Sequence, residues 1–238
     1  MKTVAIILAG GVGKRMQSER PKQFLFVKRK PIIAYTIQDF QKNKSIDTIL
    51  IVCVSNWISW LTKEVKKLKL DKVKYIIPGG ETGHDSSRNA IFFLKDKLSD
   101  NDTIVIHDAA RPILPQKTID EMLGVSLKYG NASCAIPCHE TLIFTENQIS
   151  GTTQLDRSKV MRVQTPQAYN FKMAKDIYEK AEKDNKHDFV YADTLAIYYG
   201  YKIFFSKGFS NNIKITTKDA LSLFKSLLRF SDNELLSF

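Results

Sequence analysis

The chain has 238 residues, with 36 Lys and Arg against 25 Asp and Glu, for a formal net charge of +11. Hydrophobic residues make up 43% and charged residues 26%, a globular balance with enough chain for one large α/β domain. No apolar run approaches the ~20 residues of a membrane span, and no secretory leader pattern is present, so a cytoplasmic protein with no membrane partner is expected. Cys53, Cys134 and Cys138 form no CxxC pair and read as small buried hydrophobes in a reducing compartment. The basic residues are dispersed along the chain. Anionic small substrates therefore explain the charge as well as nucleic acid does, and no nucleic-acid partner is expected.

In chain order, Val4–Leu8 reads as a buried strand that breaks into Ala9-Gly10-Gly11-Val12-Gly13, followed by Lys14-Arg15 and Pro21-Lys22-Gln23. Pro31–Phe40 reads as an amphipathic helix with proline in its first turn. Thr48–Val54 is a second strand, Trp57–Leu68 a helix, and Val73–Pro78 a third strand ending at Gly79-Gly80. Asp85–Leu98 is a helix with Asp85 or Ser86 as its cap. Thr103–Asp108 is a fourth strand, Thr118–Tyr129 a helix, and Ala132–Pro137 a fifth strand. Leu142–Arg162 breaks the rhythm and reads as an extended arm or hairpin. Lys172–Lys186 is a helix, Lys202–Ser206 a strand, Asn212–Ile215 an extended piece, and Lys218–Phe230 a closing helix. Alternating strands and helices imply a doubly wound, mostly parallel α/β sheet, whose ligands sit beyond the C-terminal strand ends. With no repeat or linker, residues 1–238 read as a single domain with an arm at about 138–162.

The polar residues of interest follow strand ends: Gly10–Arg15, Gly79–Ser87 and His107–Arg111. Glycines let the backbone turn N–H groups toward an anion, and lysine and arginine supply countercharge. The glycine turn is neither the Rossmann G-x-G-x-x-G nor a P-loop, since the G-K-[ST] ending is missing. Asp108 ends a buried strand, where it can hold Mg²⁺ bridging phosphate oxygens or pair with Arg111. His107 reads as a packed residue. Arg162–Tyr169 reads as a rigid polar segment, with Thr165 held extended before Pro166. No Ser-His-Asp or Cys-His set is evident, and phosphoryl chemistry needs none.

Together these stretches resemble the polyol-phosphate cytidylyltransferases, whose members include the enzymes for 2-C-methyl-D-erythritol 4-phosphate and ribitol 5-phosphate. The resemblance rests on LAGGVGKRM, PKQFL, the GG…DSS loop, HDAARP, the Thr141 region, DR…QTPQ and NIKIT, in family order across nearly the whole chain. It implies a Rossmann-like fold with a projecting β-arm that builds a homodimer. It also implies a reaction of CTP with a polyol phosphate, dependent on Mg²⁺ or a similar divalent cation. By motif, Arg15, Lys22 and Lys214 take catalytic roles. Leu8, Ala9, Gly10, Gly11, Gly13, Gly80, Asp85, Ser86 and Ala110 fall where the family encloses the nucleotide. Asp108 matches the metal-binding aspartate and, with Arg111, Thr141, Arg157 and Thr165, contacts the second substrate, Arg157 serving the partner subunit's site.

The chain departs from the family pattern at Gly83, where arginine is expected, at Ala192, where threonine is common, and at His139-Glu140 before Thr141. These positions fall near the polyol pocket, and the LAGG start resembles the ribitol-phosphate branch. CDP-ribitol synthesis is therefore the expected reaction. The methylerythritol enzyme, a pyrophosphorylase using another nucleoside triphosphate and a basic nucleic-acid-binding protein are the alternatives.

Overall fold

The computed structural model describes residues 1–11 and 20–230. In chain order its elements are β1 (Thr3–Ala9), β2 (Phe26–Val27), β3 (Lys30–Pro31), α1 (Ile32–Lys42), β4 (Thr48–Cys53), α2 (Ile58–Lys67), β5 (Val73–Pro78) and α3 (Gly83–Phe93). There follow β6 (Thr103–Asp108), α4 (Gln116–Tyr129), β7 (Asn131–Pro137), β8 (Leu142–Phe144), β9 (Thr153–Leu155), β10 (Met161–Asn170), α5 (Phe171–Lys183), α6 (Ala192–Tyr198), β11 (Phe205–Lys207) and α7 (Lys218–Leu227).

Seven strands form one sheet in the order β11-β7-β10-β6-β1-β4-β5. β1 runs parallel to both β4 and β6, β4 parallel to β5, and β7 parallel to β11. Because successive strand residues point to opposite faces, the apolar runs split between two cores. Ala5, Ile7, Ile49, Ile51 and Val105 face α1, α2 and α4 through Ile33, Phe40, Leu61 and Met122. Val4, Ile6, Leu50, Val52, Ile104 and Ile106 face α3, α5 and α6 through Ile91, Ile177, Tyr178 and Leu195. The result is the expected three-layer, doubly wound α/β fold. A smaller cluster of Ile32, Ile113, Ile215, Phe224 and Leu227 fixes α7 on one flank. Among the described residues, no helix is long and apolar enough to cross a membrane.

The structure corrects the sequence reading at several points. Arg162–Tyr169 is part of β10, a central strand antiparallel to both β6 and β7. Proline is ordinarily excluded from central strands because it cannot donate to the ladder. Here the register shifts between Val163 and Gln167, across Pro166. The short helix α6 was not expected, and β11 begins at Phe205 rather than Lys202. Asn212–Ile215 belongs to no strand, and α7 ends at Leu227 rather than Phe230. Helix α3 starts at Gly83 and ends at Phe93, short of the expected Leu98. Its cap is Thr82, not Asp85 or Ser86. The Thr82 side chain accepts from the Asp85 N–H, while Asp85 accepts from the Thr82 N–H, a reciprocal capping box. The segment after β7 does form a hairpin, β8 pairing antiparallel with β9 from Leu142↔Leu155 to Phe144↔Thr153.

Candidate active site

β1, β5 and β6 end at the same edge of the sheet, Leu8 lying opposite Asp108 and Cys53 opposite Pro78. The turns that leave them enclose a cavity of about 490 Å³. The glycines are needed for close approach. A Cβ on Gly10 would lie 2.8 Å from Ser86 Oγ, and one on Gly80 only 2.1 Å from Asp85 Cβ. The two turns thus close directly onto the first turn of α3, whose Ser86 Oγ accepts the Gly80 N–H at 3.2 Å.

Gln23 fastens the first glycine turn from the opposite side. Pro21 leads into a short 3₁₀ turn at Lys22–Phe24, which aims Lys22 at the cavity and turns Gln23 inward. Gln23 Nε2 donates to Ala9 O at 2.7 Å and to Gly11 O at 2.8 Å. One side-chain amide therefore ties down the carbonyls on both sides of Gly10.

At the end of β6, Asp108 accepts from Arg111 Nε at 3.1 Å through Oδ2 and lies 3.0 Å from Lys214 Nζ through Oδ1. Burial pushes the Asp108 carboxyl up, but the charges of Lys214 and Arg111 outweigh burial and hold it below its usual value. Burial likewise opposes the Lys214 charge, and Asp108 overcomes it, so the ammonium is held above its ordinary range. Lys214 lies outside any helix or strand, and tertiary bonds set its backbone. The Ile215 N–H donates to Ala110 O at 2.8 Å, Arg111 Nη1 to Asn212 O at 2.7 Å, and Asn212 Nδ2 to Thr165 O at 2.7 Å. Thr165 Oγ1 accepts the Asp108 N–H at 3.1 Å. His107 is fully buried, its Nε2 3.1 Å from Arg111 O, and burial lowers its pKa to about 4, as befits a packed residue.

Beneath this group lies a second polar cluster. Asp193, at the start of α6, accepts from both Ser133 Oγ and Gln167 Nε2 at 2.7 Å and from the Tyr169 hydroxyl. Burial raises the Asp193 carboxyl, only partly offset by those hydrogen bonds. Gln167 and the following wall, His187 to Ala192, line the cavity.

Of the residues singled out from sequence, the structure brings Leu8, Gly10, Gly11, Lys22, Ser86, Asp108, Ala110, Thr165 and Lys214 to one cavity. Ala9 and Gly80 stand just behind it, Ala9 through the carbonyl held by Gln23 and Gly80 through Ser86. Arg111 reaches it through Asp108. Asp85 does not face the cavity. Its carboxylate serves the capping box and lies 3.4 Å from Arg88. Thr141 and Arg157 are exposed on the arm and do not reach this chain's cavity; Arg157 Nη1 donates to His139 O at 2.8 Å. Gly13 and Arg15 lie outside the described residues. Sequence reasoning gave no role to Gln167, Tyr191 or Asp193 and did not foresee the clamping action of Gln23. Gln23 and Gln167 each had a local signal, Gln23 beside Lys22 after a glycine turn and Gln167 at the end of the QTPQ motif.

Among the described residues, no group of three or more His, Cys, Asp or Glu is arranged to hold a metal. The donor set instead suits a hard cation that arrives with phosphates. Asp108 is one ionised carboxylate at the cavity wall, and such cations are commonly held by one or two carboxylates plus phosphate oxygens.

A three-layer α/β fold with glycine turns, two lysines and a charged aspartate around one strand-end cavity defines a nucleotide-handling transferase. Residues 3–229 match the sequence profile of the 2-C-methyl-D-erythritol 4-phosphate cytidylyltransferase (IspD) family. The chain is 38% identical over 227 residues to a ribitol-5-phosphate cytidylyltransferase of Lacticaseibacillus paracasei, covering 94% of this chain and 97% of that one. It is 35% identical over 230 residues to a 2-C-methyl-D-erythritol 4-phosphate cytidylyltransferase of Clostridium novyi, covering 95% and 96%. The crystal structure of the Francisella tularensis 2-C-methyl-D-erythritol 4-phosphate cytidylyltransferase shares the fold, with a TM-score of 0.79 at 23% identity over 95% of this chain and 99% of that one. The chain belongs to the IspD family, and the protein is a nucleotidyltransferase of the cytidylyltransferase class.

Proposed function

We propose that the protein couples CTP and ribitol 5-phosphate to CDP-ribitol and pyrophosphate, working in the cytoplasm as a homodimer. The observation that carries the choice of substrate is the likeness to ribitol-5-phosphate cytidylyltransferases, at 38% identity to that of L. paracasei and 36% to that of Vibrio parahaemolyticus, each over nearly the whole chain. A phosphate oxygen of the acceptor attacks the α-phosphorus of CTP, a new P–O bond forms, and the bond to the β-phosphate oxygen breaks in line. Pyrophosphate carries away the electron pair. Such a reaction requires positioning and neutralisation of charge, not a covalent nucleophile.

The residues suit that division of labour. Gly10, Gly11 and Ser86 form the nucleotide side. Lys22 faces the triphosphate, and the sequence motif assigns Arg15 the same countercharge. Lys214 supplies charge between the α-phosphate and the acceptor phosphate, and Thr165 and Arg111 stand on the acceptor side. Asp108 would hold a divalent cation, Mg²⁺ by its chemistry. When bound, that cation draws charge from phosphate oxygens and so favours departure of pyrophosphate. Thr141 and Arg157 stand on the arm, where Ile143, Phe144 and Ile149 are also exposed, and they serve the partner's cavity. Methylerythritol phosphate is the competing acceptor, favoured by the family profile and by the C. novyi relative.

The test is CTP-dependent pyrophosphate release across a set of polyol phosphates. Ribitol 5-phosphate is expected to give the highest kcat/KM. A preference of more than about tenfold for methylerythritol phosphate overturns the choice of acceptor. Better turnover with UTP or ATP than with CTP overturns the choice of nucleotide.

A further inference from the structure

Among the described residues, Lys214 has two polar neighbours on the cavity wall. Asp108 is one of them. The other is Tyr191, whose hydroxyl accepts from Lys214 Nζ at 3.3 Å and whose ring centroid lies 5.3 Å from the same nitrogen. We infer that Tyr191 is a positioning residue that holds the Lys214 ammonium at the cavity wall, where it meets the reacting phosphates. The inference rests on the role given to Lys214 above and extends the reacting assembly to a side chain of the 187–192 wall.

The physical argument begins with the lysine itself. A flexible four-carbon stem gives an ammonium many rotamers, and a single anchor leaves most of them open. With Asp108 as its sole partner, Lys214 would settle into the ion pair at whatever angle served the carboxylate best. A second acceptor set apart from Asp108 fixes the direction of Nζ and leaves another of its three donors for a phosphate oxygen. Since Tyr191 accepts from Lys214, its own hydroxyl hydrogen remains free to point elsewhere.

Tyr191 is itself well held. It is the residue from which α6 starts, and its carbonyl accepts from Thr194 Oγ1 at 2.8 Å and from the Leu195 N–H at 3.3 Å. Two residues on, Asp193 is pinned to the sheet by Ser133 of β7 and by Gln167 and Tyr169 of β10. The Asp193 cluster therefore sets where α6 begins, that start sets Tyr191, and Tyr191 sets Lys214. This gives the buried carboxylate network a task at the site, although none of Asp193, Ser133 or Tyr169 faces the cavity.

The test is a double-mutant cycle on the full-length protein, with Tyr191→Phe, Lys214→Gln and the two combined. Each variant is assayed for kcat and for KM toward CTP and ribitol 5-phosphate, with thermal unfolding measured in parallel. Tyr191→Phe is expected to lower kcat by roughly tenfold, as for loss of one hydrogen bond to a charged group. Both KM values and the melting temperature should stay close to those of the unchanged protein. Tyr191→Leu, which also removes the ring, should lower kcat further. Once Lys214 is glutamine, Tyr191→Phe should have no additional effect on kcat. If Lys214→Gln is slow but Tyr191→Phe turns over normally, the inference is overturned while the role of Lys214 stands. It is overturned in the same way if Tyr191→Phe raises only the KM for ribitol 5-phosphate, or if the effects of the two substitutions multiply. If Lys214→Gln itself is fully active, the role given to Lys214 fails first. Tyr191→Phe keeps nearly all of the side chain, so it serves even if Tyr191→Leu does not fold.

Discussion

Replacing Gln23 with glutamate exchanges one NH₂ for an oxygen at almost constant size. The side chain is 2% exposed, and its nitrogen supplies hydrogen bonds to Ala9 O and Gly11 O. In the variant, a carboxylate faces two carbonyl oxygens, so both bonds are lost and the contacts become repulsive. Leaving one buried acceptor unpaired costs about 1–3 kcal/mol. The Ala9 carbonyl is buried and bears that cost in full, whereas Gly11 is exposed and water can reach its carbonyl. The sum is about 2–4 kcal/mol at neutral pH, a large share of the 5–15 kcal/mol that typically holds a domain together. The sign of the pH dependence follows. Facing carbonyls, the new carboxyl has a folded-state pKa above its unfolded value of about 4.3. The deficit is therefore small below that value and grows as pH rises through the folded-state pKa. Gln23→Leu also loses both donors but adds no titrating group, so its deficit should not vary with pH. Urea unfolding of the three proteins at pH 5 and pH 8 separates these cases, and CTP titration shows whether a loosened turn also binds nucleotide more weakly. Gln23→Glu unfolding at the same urea concentration as the unchanged protein at pH 8 would refute the clamp.

His84 is 2% exposed with its Nε2 lacking a hydrogen-bond partner among the described residues, and burial holds its pKa below the usual value, only partly opposed by Asp85. An imidazole with a depressed folded-state pKa contributes stability above its unfolded pKa of about 6.5, and that stability is lost as pH falls below it, at no more than about 1.4 kcal/mol per pH unit. Melting temperatures of His84→Gln should therefore fall less steeply than those of the unchanged protein between pH 6.5 and 5; parallel curves would contradict this. Asp108→Asn leaves Arg111 and Lys214 without their shared carboxylate, and breaking a buried pair from one side costs about 3–5 kcal/mol. A lowered melting temperature should accompany a turnover loss of roughly 10²–10³-fold, and near-normal kcat would remove Asp108 from the reaction. If Arg157 serves the partner's cavity, Lys22→Ala and Arg157→Ala proteins should each be inactive alone but recover roughly a quarter of full activity when refolded together, since mixed dimers keep one intact site. No recovery in demonstrably mixed dimers would assign Arg157 to its own chain.

The glycine-turn half of the cavity was legible because its parts are local. An apolar strand that stops at glycine, with basic residues close behind, states in consecutive residues both the end of β1 and the chemistry offered there. The same holds for Pro78-Gly79-Gly80 after β5 and for Asp108 at the end of β6. Once the strand and helix rhythm put these ends on one sheet edge, Gly10, Ser86 and Asp108 had to meet. The missed elements share the opposite property. β10 carries Gln164, Thr165, Pro166 and Gln167 where a central strand ordinarily carries apolar residues. All three polar side chains are nevertheless buried, because they bond to the 208–212 segment, to Asp108 and to Asp193. A pattern that scores burial by hydrophobicity reads such a strand as a loop. α6 is too short for helical periodicity to show, and its anchor, Asp193, is a charge whose burial is intelligible only beside Ser133, Gln167 and Tyr169.

That difference bears on how substrate choice is encoded. The wall opposite the glycine turns is assembled by long-range bonds: Arg111 to Asn212, Asn212 to Thr165, Lys214 to Tyr191, and Gln167 to Asp193. Each joins segments far apart in the chain, so a substitution in β10, α6 or the 208–217 segment changes the wall without touching the turns around Gly10 and Gly80. The converse also holds, since among the described residues Gln23, Ser86 and Thr82 brace the glycine turns with no bond to the opposite wall. The two halves meet at Asp108 and Lys214, which stand between the glycine turns and the opposite wall. Under the proposed division of labour, a cavity built this way can alter which acceptor it takes while its nucleotide side stays fixed. Relatives named for ribitol 5-phosphate and for methylerythritol phosphate are accordingly found at similar identity to this chain. The departures at Gly83 and Ala192 fall on residues that line the cavity beside Val190 and Tyr191. Acceptor preference is therefore expected to move with residues 187–192 and to be largely indifferent to changes around Gly10.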